Sequence, residues 1–458
     1  MTIGIGGAPV EGCFVAIATS LPRRFIRLSS YNILSNLMVP VAGLIDTAFL
    51  GHLDDIRYLA GVAIATVIFN YLYWSFGFLR MSTVGLVAQA SGKGDHQDIF
   101  TIGVRHGAIA LGLGLGLLAL QMPLRELGFW LLQATPDIRE AGVAFYNARI
   151  WGAPATLINF VLLGWFLGRQ EGGRVLLLSV VGNSVNVVLD YVMIYRLGWG
   201  SGGAGAATAA SQYAMLLVGL GLLLPSWQQL QVPWGRLLDA TAVRQVLGLN
   251  GNIMLRTFAL LTAFGLFTSL SATMGKTVLA ANTLLLQILT LAAYFIDGFA
   301  FATQSLVGEV VGQAERESAT AIRTRLMTLL YGAGGLSVAV GLLLASTFIL
   351  FPQLFGLLTS HTLVLSQIQA VTVWLLPLLG FAAVAYMLDG YFLGITAGRT
   401  LRNSSLVAVG AGFLPVAIAA WQLQNAHLLW LALTLFMVGR AVTLALQVPA
   451  TLYSLKAK

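Results

Sequence analysis

Twelve stretches of this 458-residue chain are each long and apolar enough to cross a lipid bilayer. A helical crossing takes roughly 20 apolar residues. Those found here cover 27–50, 58–90, 102–122, 139–168, 174–195, 204–225, 243–272, 276–311, 321–350, 362–396, 400–422 and 427–453. Charged residues make up only 9% of the chain and hydrophobic ones 58%, whereas an ordinary soluble domain carries about 25% charged residues. So few charges cannot cover a water-facing surface, so the expected fold is all-α and polytopic, with the bilayer solvating its exterior. Several stretches exceed the thickness of the hydrocarbon core, which predicts tilt or protrusion beyond it.

The net charge of +8 forms no single patch, so a nucleic-acid partner is not expected. The basic residues sit between apolar runs, as they do in cytoplasmic loops. With the N-terminus inside, sixteen of the 25 Lys and Arg residues fall on the cytoplasmic side, among them Arg23, Arg24, Arg27, Lys93, Arg169, Arg174, Arg236, Arg316, Lys456 and Lys458. Five fall on the opposite side, and Arg80, Arg149, Arg256 and Arg440 lie within spans. This bias places both termini in the cytoplasm, of a plasma membrane or an internal one. The single cysteine, Cys13, allows neither an internal disulfide nor a thiolate metal site. No Lys or Arg precedes Arg23, so the basic start of a signal peptide is missing and the first span is expected to direct insertion.

The clearest break in the apolar pattern, 226–242, falls near the midpoint and divides an N-terminal lobe (1–225) from a C-terminal lobe (243–458) through a cytoplasmic linker. The two halves share sequence. GWFLGRQEGG at 164–173 matches GYFLGITAGR at 390–399, and 77–95 parallels 298–315. Both offsets correspond to six spans. An even number keeps the copies in the same orientation, so the lobes should be related by a pseudo-two-fold axis along the membrane normal.

A carboxylate at the centre of a spanning helix costs about 2.5–3.5 kcal/mol on insertion scales. Asp46, Asp190, Asp297 and Asp389 all lie within spans and so need a reason to be there, whereas Glu309 is nearer a helix end. Asn186 and Asn183 precede Asp190 by four and seven residues, which puts all three on one helix face. Carboxylate and amide oxygens suit a proton or a hard cation such as sodium. The amides could equally serve to bond one helix to another, and for Asn183 that is at least as good a reading. If Asp46 faces the same pocket as Asp190, desolvation and mutual repulsion work against double ionisation, and the two would titrate as a coupled pair. Pro40, six residues before Asp46, removes a backbone donor and can bend the first span. In the second half, Arg256 accompanies Asp297 and Asp389, and an arginine facing either acid would hold it ionised. That predicts a structural or gating network there. Arg80 and Arg149 could pair with acids or snorkel to an interface. Tyr71, Tyr73, Trp74 and Phe76 could stack against flat cations, though helix packing is the plainer role for them.

Taken together, ILSNLMVPVAGLIDTAFLGHL (33–53), FLRMSTVGLVAQASG (78–92), GNIMLR (251–256), LAANTLLLQILTLAAYFIDGFAFATQSLVG (279–308) and MLDGYFLGITAGR (387–399) resemble the MATE (multidrug and toxic compound extrusion) family, in particular its DinF-like branch. The resemblance implies two six-helix lobes around a V-shaped cleft. It also implies efflux of small organic, cationic or amphipathic molecules, driven by inward proton or sodium flow, with no cofactor. It assigns a first-lobe cation site, able to take sodium, to Asp46, Asn186, Asp190 and Thr208, with Asn159 as a looser addition. Thr208 comes from the resemblance alone. Three departures stand out: Tyr31 replaces a common first-helix proline, Asn252 a common Asp, and Gln304 a frequent Glu. The last two remove ionisable groups from the second lobe and favour coupling through the first.

The expected protein is therefore a monomeric antiporter working by alternating access, with a small molecule and the bilayer as its partners. A lipid-linked oligosaccharide flippase of the same superfamily would need a more basic cavity. A membrane-embedded transferase would need histidine–acid or clustered-acid chemistry at depth. The five histidines, including His106, and the Asp54–Asp55 pair lie near expected loops or helix ends, so no enzyme is expected.

Overall fold

The structure, a computed structural model, describes residues 10–53, 55–133, 135–227, 237 and 239–454. Most of the 226–242 linker with its Arg236, and also Asp54, Lys456 and Lys458, lie outside the described residues. Among the described residues every element is helical, and twelve helices have the length and apolarity of membrane spans. Those of the first half are Leu21–Gly51, Ile56–Lys93, His96–Ala119, Pro136–Gly168, Gly172–Arg196 and Gly200–Leu224. The second half contributes Ala240–Thr273, Lys276–Glu315, Ala319–Leu350, Thr362–Gly394, Gly398–Gln422 and Ala426–Tyr453. Their number and order are those read from the sequence. The first helix is longer than expected, beginning at Val10.

Short polar turns set the helix ends. Asp95 accepts the backbone N–H of Asp98 at 2.9 Å to start the third span, and Asn425 caps the twelfth by accepting from His427 and Leu428. Such caps satisfy amides that a helix start leaves bare. Several spans depart from straight α-helix. The second breaks at Phe76–Gly77, and 3₁₀ turns interrupt the fourth at Ile150–Gly152 and the tenth at Thr372–Trp374. The fifth ends in a π-helical turn, Tyr191–Arg196, and the eleventh contains another, Ala408–Phe413. A helix that the sequence reading treated as loop, Gln121–Leu131, joins the third and fourth spans. Eleven residues are too few to cross a bilayer. Its exposed Met122, Leu127, Trp130 and Leu131 give it an interfacial character.

The repeat seen in the sequence is a repeat in packing. The fourth and tenth spans, six apart, are the most buried of their halves, at 78% and 61%. Each is the central helix of its lobe. Gly168 on the fourth lies against Val87 of the second, where an added Cβ would stand 2.8 Å from the valine Cβ. Gly394 on the tenth meets Val307 of the eighth in the same way, at 2.9 Å. Neither position can take a side chain without separating two helices. The chain is thus two six-helix lobes related by a pseudo-two-fold.

The lobes are bridged at one end of the bundle, the end where Leu21 and Tyr453 lie. There Arg24 contacts both Gln170 (2.5 Å) and Glu309 (2.6 Å), and Gln170 donates to Glu309 at 2.7 Å. Gln89 donates to the Gly394 carbonyl, Gln304 to that of Met81, and Ser305 to that of Leu167. Glu309 is therefore part of the seam between lobes rather than a simple interfacial acid.

Candidate functional site

The first and fifth spans pack side by side and carry Asp46 and Asp190. The two carboxyl groups face each other at close range. Asp190 is fully buried, and its Oδ2 also accepts the Asn186 amide at 2.9 Å. One oxygen of each acid, Asp46 Oδ1 and Asp190 Oδ1, is buried without a further partner. The fifth span changes from α to π geometry immediately after Asp190, a local widening that is frequent at functional sites. Arg149 is within electrostatic reach of Asp46, yet it closes no ion pair on it among the described residues. Its guanidinium faces rings instead, 4.6 Å from the centroid of Phe69, 5.4 Å from Phe145 and 5.9 Å from Tyr73. Arg149 thus neither snorkels nor pairs.

The other first-lobe residues singled out in the sequence make hydrogen bonds elsewhere. Thr208 donates to the Ala204 carbonyl of its own helix at 2.9 Å. Asn183 donates to the Ser179 carbonyl at 2.6 Å. Asn159 is buried and bonds Gln212, at 2.9 Å to its carbonyl and 3.1 Å to its side chain. Asp46, Asp190 and Asn186 therefore form the core, with the three others bonded elsewhere.

The second lobe arranges its acids differently. Asp389 accepts hydrogen bonds from both Arg256 and Arg440, and all three residues are buried. Arg440 also lies over Tyr386 and Phe436, 5.4 and 5.7 Å from their centroids. Asp297 is within electrostatic reach of Arg256, Arg80 and Arg440, and Arg80 stacks on Phe301 at 4.1 Å. The association of Arg256 with acids was legible in the sequence. The part of Arg440 was not, although a charge at mid-span in the twelfth helix was the available signal. Asn252 accepts from Arg402 at 2.9 Å, tying the seventh span to the eleventh. The aromatic group of the second span splits: Tyr71 and Trp74 are about half exposed, while Tyr73 packs on Phe69. His106, expected near a helix end, is fully buried and donates its ring Nδ1–H to the Ile102 carbonyl at 2.9 Å.

Two lobes bridged at one end and an acid pair set inside one of them define a membrane transporter, and comparison with known proteins gives the family. Residues 32–192 match the MatE family. The chain is 36% identical over 437 residues to the DNA damage-inducible protein F of Escherichia coli (strain K12), covering 94% of this chain and 93% of that protein. It is 29% identical to the chloroplastic Protein DETOXIFICATION 44 of Arabidopsis thaliana, over 88% of this chain and 77% of that one. Its fold matches a structure described as the outward-facing conformation of a multidrug resistance MATE family transporter, with a TM-score of 0.86 at 20% identity over 95% of this chain and 97% of that one. The chain belongs to the MATE family of transporters and is not an enzyme.

Proposed function

We propose that this protein is a secondary active antiporter that exports organic compounds in exchange for an inward-moving cation carried by Asp46 and Asp190. The observation that carries the reading is the close acid pair. Two carboxyl groups at close range repel unless they share a proton or a cation, and Asp46 and Asp190 form no ion pair with an arginine or lysine among the described residues. A group that changes occupancy during a cycle must not be held permanently charged by a neighbour. The likeness to a multidrug resistance MATE family transporter supports organic substrates, and Tyr71 and Trp74 offer exposed rings for flat cationic ones.

The excess of Lys and Arg in the loops at the bridged end supports placing that end, and both termini, in the cytoplasm. On that topology the end opposite the bridge faces outward, where the cation is taken up and substrate leaves. The membrane potential contributes about 2.3 kcal/mol per charge per 100 mV, roughly a fiftyfold gradient for one charge exchanged against a neutral substrate. The protein acts as a monomer, each chain carrying a complete acid pair. The test is exchange in proteoliposomes with pH and sodium gradients imposed separately. Asp46→Asn and Asp190→Asn should each abolish gradient-driven export while the protein still inserts and folds, and undiminished export by both would refute the assignment.

A further inference from the structure

At the bridged end of the first lobe, where the first span passes the start of the fifth, lies a cavity of about 340 Å³. Arg27 and Tyr31 wall it on the first span, and residues 170–174 wall it at the turn into the fifth. Gly172 lets the two helices meet, since an added Cβ there would stand 3.0 Å from the Tyr31 ring and 3.3 Å from Leu28. Tyr31, which stands where relatives often carry a proline, is thus a wall of this cavity. Gly173 faces open space, with nothing within 4 Å of where its Cβ would be.

The polar groups around the cavity suit an anion. Arg27 is exposed and makes no ion pair among the described residues. Arg174 bonds Glu171 at 2.7 Å, and Arg169 holds the other oxygen of the same carboxylate at 3.0 Å. Three arginines therefore stand against one acid. Glu171 occupies the N-cap position of a 19-residue helix, yet its side chain makes no capping hydrogen bond. A helix start leaves its first N–H groups bare, and together they favour negative charge. Here Gly172 and Gly173 supply those groups, and both line the cavity. The Gln170 side chain is engaged elsewhere, tied to Arg24 and Glu309 in the bridge between lobes.

Deeper in the bilayer the same two helix faces turn apolar. Leu34 lies seven residues past Arg27, and Leu177 and Val180 lie four and seven past Gly173, spacings that keep each on its helix face. All three side chains are exposed. A soluble anion makes no use of such a flank, whereas an acyl chain lying along it would carry its phosphate to the level of the arginines.

We infer that this cavity binds the headgroup of an anionic phospholipid from the leaflet at the bridged end. Arg27 and Arg174 hold the phosphate oxygens through charge-assisted hydrogen bonds, the glycine amides add donors, and the acyl chains run along Leu34, Leu177 and Val180. The orientation proposed above puts this leaflet on the cytoplasmic side, where anionic lipid gathers. The inference is independent of the carrier reading and stands whichever ion Asp46 and Asp190 exchange.

The test counts lipids retained by the purified full chain in detergent, using native mass spectrometry. The chain is titrated with phosphatidylglycerol or with phosphatidylcholine of the same acyl chains. One phosphatidylglycerol should be held about tenfold more tightly than phosphatidylcholine, and R27Q/R174Q should weaken it by about thirtyfold. Gly173→Leu fills the cavity from a position with room for a side chain. It should abolish the tight site while the unfolding midpoint stays native. Where one of these variants fails to fold, the other decides. Inorganic phosphate should not displace the lipid, because the acyl chains anchor it. Equal retention of the two lipids by the native chain overturns the inference, as does native phosphatidylglycerol retention in the deciding variant. Displacement by inorganic phosphate would make the ligand a soluble anion and overturn the lipid assignment.

Discussion

The two lobes share a packing plan and bury acids at comparable depth, yet they treat those acids in opposite ways. In the second lobe Asp389 is clamped by Arg256 and Arg440, with Asp297 in the field of the same arginines. In the first lobe the partners of Asp190 among the described residues are Asp46 and Asn186, and the nearby Arg149 is turned onto aromatic rings. An acid between two arginines is a structural part whose charge is fixed. An acid facing another acid at close range holds a proton or a cation that can be exchanged. The same residue type at similar depth can thus serve stability in one lobe and, on our reading, transport in the other.

This contrast can be broken most directly at Arg440. Arg440→Leu removes a fully buried partner and leaves Asp389 with one arginine, and breaking such a pair costs about 3–5 kcal/mol. Thermal unfolding in detergent should show a large fall in midpoint. An unchanged midpoint would mean the clamp does not hold the lobe together. Next in size, Asp190→Asn should reduce gradient-driven export at least a hundredfold, with the unfolding midpoint nearly unchanged because an amide can still bond Asp46. A variant that instead unfolds would place the first-lobe pair in the same structural class as Asp389. A smaller effect is expected at the bridged end. Glu309→Gln weakens a partly buried ion pair worth about 1 kcal/mol, so maleimide labelling of Ser305→Cys, in a Cys13→Ser background, should rise by up to roughly fivefold. Smallest of all, Thr208→Val should change export by less than about threefold, since its hydroxyl is bonded to its own helix. A complete loss would restore it to the ion site that the family resemblance implies.

The spans were legible because so few charges interrupt the apolar runs, and the acids were legible because each carries an insertion penalty that must be offset. The helix face shared by Asp190 and Asn186 followed from spacing alone. What spacing could not give was the rotation of one helix against another. That rotation decides whether Arg149 meets Asp46 or a cage of rings, and whether Arg440 reaches across to Asp389. The helix at Gln121–Leu131 was missed because an apolar run of that length falls short of a crossing and leaves no other mark.

The glycine contacts at Gly168 and Gly394 carry a mechanical consequence. Helices whose backbones touch cannot slide past one another without first separating, and the same close approach recurs between the lobes, where Gly92 of the second span meets the Glu309 backbone of the eighth and Gly85 that of Leu393 on the tenth. Paired spectroscopic labels across the second and fourth spans, or the eighth and tenth, should keep a constant separation through the transport cycle, and movement between lobes should open the seam of the second and eighth spans rather than shear along it.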